Sequence, residues 1–108
     1  MNYKEGFDNA VKQIEDIGVK YATAKALSWK MQEMRKVVLA QMMKKQEGSV
    51  ASREMNARAS NEYIIHLNGT ETAIENENKL KAQYERYKAE YEKVRSLCSL
   101  EKAKINII

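Results

Sequence analysis

The sequence predicts an all-α protein: an antiparallel hairpin of two long helices joined by a short helical connector, self-associating as a coiled-coil-like bundle. Three observations predict it. The 108 residues include no proline and only four glycines, so little interrupts helical backbone. Leu80, Tyr84, Tyr87, Tyr91, Val94 and Cys98 alternate at spacings of four and three, the a/d seam of a helix that packs lengthwise on another. Charged residues make up 31% of the chain and fill most of the positions outside that seam. One small domain is expected, and two facing helices give a thin core that oligomerisation would thicken.

The elements follow in order. Residues 1–18 form an N-terminal helical arm, with Asp8 as its starting signal and Phe7 as a staple beside it. Phe7, Ala10, Ile14, Ile17, Tyr21 and Ala24 keep one phase across Gly18, which favours a helix continuous through the glycine or slightly kinked there. The first long helix spans 19–47. Ala24, Leu27, Met31, Met34, Val38 and Met42 hold its inner face, and Trp29, Val37 and Leu39 widen the stripe. A variant keeps Val19–Glu47 as a shorter helix with a separate arm.

Gly48 suits the left-handed position after a helix, and Ser49 can cap the next one. Residues 50–68 are the short helical connector, in two pieces, the second capped by Ser60. Asn68-Gly69 is expected to end it and Thr70 to cap the second long helix, 70–98. A loosening between Ser96 and Ser99 leads to an apolar tail, 99–108, which is expected to pack on its own hairpin or on another subunit. The tyrosine seam is expected to meet the Met- and Ala-rich part of the first long helix, where Ala24 and Ala40 leave room for rings.

Charge is distributed unevenly along this order. The net charge is +4, but residues 59–78 carry four glutamates and no Lys or Arg, whereas 19–58 and 79–108 are basic. A basic helical surface suits a polyanion such as nucleic acid, and equally a solvated coiled coil. The single Cys98 rules out an internal disulfide and fits a reducing compartment, so a cytoplasmic location is expected. No apolar run resembles a signal peptide or a membrane span.

Enzyme chemistry finds little to stand on. His66 is the only histidine, no glycine-rich phosphate loop occurs, and the Glu-x-x-His motif of di-metal bundles is missing. The chain is therefore expected to be non-enzymatic, with no cofactor, metal or small-molecule substrate. Single-stranded nucleic acid is bound by basic grooves with aromatic stacking platforms. Lys25, Trp29, Lys36, Lys44, Lys45, Arg53 and Arg58 are the candidate nucleic-acid-binding residues: Lys25 and Trp29 share a helix side at i and i+4, and the other five cluster about the first turn. Leu80, Tyr84, Tyr87, Tyr91 and Val94, with Ile105 and Ile107 of the tail, are the candidate hairpin or oligomer contacts.

The stretch Tyr21-Ala22-Thr23-Ala24-Lys25-Ala26-Leu27-Ser28-Trp29-Lys30, followed by a Lys-rich helix, resembles the UvsY-type recombination mediators of bacteriophages. So does the apolar end after a Ser-containing break. The resemblance covers the first long helix best; the central SREMNARASNEYIIHL stretch lies outside it. It implies an all-helical, oligomeric protein that binds single-stranded DNA and helps load a recombinase. Lys25, Lys30, Arg35 and Lys36 are the matching basic positions. The expected function is thus a phage-type accessory protein in recombination or replication, with single-stranded DNA, recombination or replication proteins and further copies of itself as partners. The alternative is a structural or assembly adaptor with no nucleic-acid role.

Overall fold

The computed structural model describes residues 3–107, all-α in three helices: α1 (Tyr3–Lys44), α2 (Val50–Arg58) and α3 (Asn61–Ile107). The arm and the first long helix are one element, because the 3,4 phase that starts at Phe7 runs unbroken through Gly18. That helix ends at Lys44, three residues earlier than expected. The chain then turns: Lys45 and Gln46 donate to the carbonyls of Met42 and Met43, and Gly48 adopts φ +107°. Ser49 caps α2 by accepting from the Ser52 N–H at 3.2 Å. Ser60 closes α2 and opens α3: its Oγ donates to the Ala57 carbonyl at 2.6 Å and accepts from the Tyr63 N–H at 3.3 Å.

Two expected boundaries do not exist. Asn68-Gly69 lies inside α3, so the second part of the connector and the second long helix are continuous. Gly69 is held in negative-φ helical backbone, where a Cβ would meet Met31 Cε at 3.0 Å; the glycine makes room for the facing helix instead of a turn. The Thr70 hydroxyl donates back to the His66 carbonyl at 2.8 Å, a bond within the helix and not a cap. Likewise Ser96–Ser99 does not loosen α3, whose backbone continues to Ile107. The side chains of the tail candidates Ile105 and Ile107 lie outside the described residues.

The chain divides into two compact units. The first combines Met1–Thr23 with Asn78–Ile108. Ala10 and Ile17 are buried, and the tyrosine seam meets them: Phe7 packs on Tyr91 with ring centroids 5.6 Å apart, and Tyr21 on Tyr84 at 5.7 Å. Pairing of Phe7 with Tyr91 and of Tyr21 with Tyr84 fixes α1 and α3 as antiparallel here. The seam's partner is thus the start of α1, not the Met-rich part; Ala40, expected to make room for rings, is exposed. Small residues at Ala10 and Gly18 take that role, with Tyr84 Cε2 3.5 Å from a Cβ placed on Gly18.

The second unit, Ala24–Glu77, holds the rest of α1, α2 and the start of α3. Its core is Met42, Ala57 and Tyr63, surrounded by Val38, Leu39, Met43 and Leu67. The inner face of α1 passes through Ala24, Ser28, Met31, Val38 and Met42. Ser28 is 0% exposed and accepts from the Gln32 side chain at 3.0 Å. Leu27 and Met34, expected inside, are exposed instead, as are Trp29 and Val37. The reason is phase. Continuing 3,4 alternation from Ala24 leads to Ser28 and Met31, and puts Leu27 one position off the seam.

Candidate nucleic-acid interface

The seven candidate positions all belong to the second unit, and the structure sorts them. On α1, Lys25, Trp29 and Lys36 follow one another at i, i+4 and i+11. Those spacings put them on one side of the helix, turned well away from the inner face marked by Ser28, Met31 and Val38. All three are exposed, and the Trp29 indole is 65% exposed although its size favours burial. Lys30 and Lys44 are also exposed on the outer half of α1, where Glu33 is the one acid among them. Lys45 follows in the turn after the helix. Among the described residues, Lys25, Lys36, Lys44 and Lys45 enter no ion pair. At about 1.5 Å per residue, Lys25 to Lys36 spans about 16 Å of helix.

The two arginines of α2 differ. Arg58 is tied to Glu54 within its own helix, Nη2 to Oε1 at 2.8 Å, and the bond from Glu54 raises its already high pKa. Arg53 is half-buried, and its Nε is buried with no hydrogen-bond partner. Neither is placed as a freely solvated cation, so the coherent group is Lys25, Trp29 and Lys36; Lys30 lies about a third of a turn round the helix from them. Lys30 was not one of the seven candidate positions, and its exposure on α1 is what brings it into view.

The hairpin candidates Leu80, Tyr84, Tyr87, Tyr91 and Val94 are all half-buried in the first unit, with Tyr84 and Tyr91 in ring contact with α1. Tyr63, the aromatic that follows the arginines of α2, is buried in the core of the second unit and offers no ring to a ligand. His66 is half-buried and its Nε2 donates to the Met31 carbonyl at 2.9 Å, a helix-to-helix tie.

Among the described residues, no cluster of three His, Cys, Asp or Glu side chains is placed to hold a metal ion. A cavity of about 490 Å³ in the first unit is lined by Phe7 and Cys98 with Lys4, Arg95, Ser99, Glu101 and Lys102 around them. No described helix is long and apolar enough to cross a membrane. No protein-family model, curated protein or solved structure matches the chain.

Proposed function

We propose that this chain is a non-enzymatic accessory protein that binds single-stranded nucleic acid through the outer face of α1, in recombination or replication of the phage type. The observation that carries the reading is Trp29, left in solvent between Lys25 and Lys36 on one helix side. Exposing an indole forgoes about 1.5–3 kcal/mol of burial, which suits a side chain kept for a ligand. Its ring offers a stacking surface to a base, and the lysines offer point charges to the flanking phosphates. Such contacts follow the backbone and tolerate sequence. The resemblance of Tyr21–Lys30 to the recombination mediators supports the same reading.

The test is fluorescence anisotropy of a labelled oligonucleotide across a salt series. Binding is expected at low salt and is expected to weaken as salt rises, because released counterions drive it. Each of Lys25→Ala and Lys36→Ala should lower the salt slope by about 0.7, and Trp29→Ala should cost about 1–3 kcal/mol. Absence of binding at low salt would reject the reading.

A second reading, an assembly adaptor, is favoured by a different observation. Leu27, Met34 and Val37 are exposed together on another flank of α1, with Lys30 among them.

A further inference from the structure

We propose that the cavity of the first unit is a binding site for a small amphipathic anion: a dissolved molecule with one acidic head group on an apolar body. The site lies in the other unit from Lys25, Trp29 and Lys36 and does not rest on the reading of that face.

The cavity measures about 490 Å³, within the range of about 300–1,000 Å³ that small-molecule sites occupy. Its walls come from both long helices: Lys4 and Phe7 of α1, and Arg95, Cys98, Glu101 and Lys102 among those of α3. Helical spacing explains why these residues meet. Phe7 and Cys98 belong to the two facing seams. Lys4 stands three residues before Phe7, Arg95 three before Cys98 and Lys102 four after it, so each cation is the surface neighbour of a seam residue. Antiparallel packing of Phe7 on Tyr91 then gathers the three cations round one opening.

Burial divides the lining by polarity. Phe7 and Cys98 are half-buried, whereas Lys4, Arg95 and Lys102 are exposed. Apolar surface therefore lies within and positive charge at the mouth, and the aliphatic stems of the cations join the two.

The charges that select the occupant are those of the lining itself. Lys4, Arg95 and Lys102 stand against the carboxylate of Glu101. Among the described residues, Lys4 and Lys102 enter no ion pair. Arg95 is paired with Glu92 at 3.7 Å, both side chains being more than half exposed, a pairing that contributes little. The mouth thus keeps an excess of positive charge that a carboxylate or phosphate head would neutralise. Phe7 and Cys98 would take the apolar body out of water. A neutral apolar molecule leaves the cations unmatched, and a small inorganic anion leaves the floor uncovered. A molecule with both parts uses the whole lining.

The test titrates the full chain with decanoate below its micelle threshold, by calorimetry and by the rate at which iodoacetamide alkylates Cys98. Cys98 is the only cysteine, so that rate reports on the cavity alone. Decanoate is expected to bind and to slow alkylation. Decanol, which lacks the charge, and acetate, which lacks the body, are each expected to bind at least about tenfold more weakly. Arg95→Ala and Lys102→Ala should each weaken decanoate by about tenfold with helix content unchanged, while Lys12→Ala, outside the cavity, should not. Absence of decanoate binding would overturn the proposal. So would equal binding of decanol, which marks a merely apolar patch, or binding that spares the Cys98 rate and both variants, which places the ligand elsewhere. Phosphatidylglycerol vesicles that slow alkylation where dissolved decanoate does not would overturn it in favour of a membrane surface. An oligonucleotide that slows alkylation would overturn it in favour of a second nucleic-acid contact. An oligonucleotide that binds and leaves the rate unchanged is the expected result, so this site and the face of α1 can fail separately.

Discussion

Two glycines in different backbone settings should respond to the same substitution with opposite signs. Gly18 lies inside α1, and a Cβ there would meet Tyr84 Cε2 at 3.5 Å, an ordinary contact. Gly18→Ala should therefore stabilise the chain by about 1 kcal/mol, the helix-interior difference between the two residues. Gly48 has φ +107°, where a Cβ is strained, so Gly48→Ala should destabilise by about 1 kcal/mol. Urea unfolding followed by circular dichroism reads both, and like signs would contradict the assignment. Gly48 was legible in the sequence because Gln46-Glu47-Gly48-Ser49 has the composition of a helix stop followed by a cap. Gly69 was not, because Asn-Gly reads as a turn whenever the facing helix is unknown. What marks it is the facing helix: a Cβ on Gly69 would meet Met31 Cε at 3.0 Å, so a larger residue would require the methionine to shift.

Among the elements, phase was the most reliable signal and residue identity the least. The 3,4 alternation from Phe7 to Ala24, carried on without exception, lands on Ser28, which is fully buried. Following apolar identity instead selects Leu27 and Met34 and turns the helix by most of a right angle. A hydroxyl satisfied through Gln32 costs little to bury, so the seam tolerates serine where a sequence reader expects leucine. The caps were legible for the converse reason: Ser49 and Ser60 act through local backbone geometry that needs no tertiary partner. Ser49→Ala should cost about 1 kcal/mol and fray α2, seen as lost helical signal and faster amide exchange over 50–58. Unchanged exchange there would show that packing of Ala57 on Met42 and Tyr63 holds α2 without its cap.

For the whole molecule, the uneven charge seen in the sequence acquires a spatial meaning within the second unit. The basic part of α1 runs beside the acidic start of α3, and its outer side keeps Lys25, Lys30, Lys36 and Lys44 in solvent with Trp29. The sequence supplied the residue types but could not separate solvated cations from constrained ones. Arg53 and Arg58 belonged to the same cluster by position and leave it through burial and through Glu54. Trp29 is the only tryptophan of the chain, so its emission reports on the proposed contact alone. The most direct test titrates single-stranded oligonucleotide into the full protein at low salt while following that emission. The expected result is a red-shifted spectrum in the free protein, quenched on addition and restored by salt. A blue-shifted spectrum that nucleic acid leaves unchanged would contradict the account.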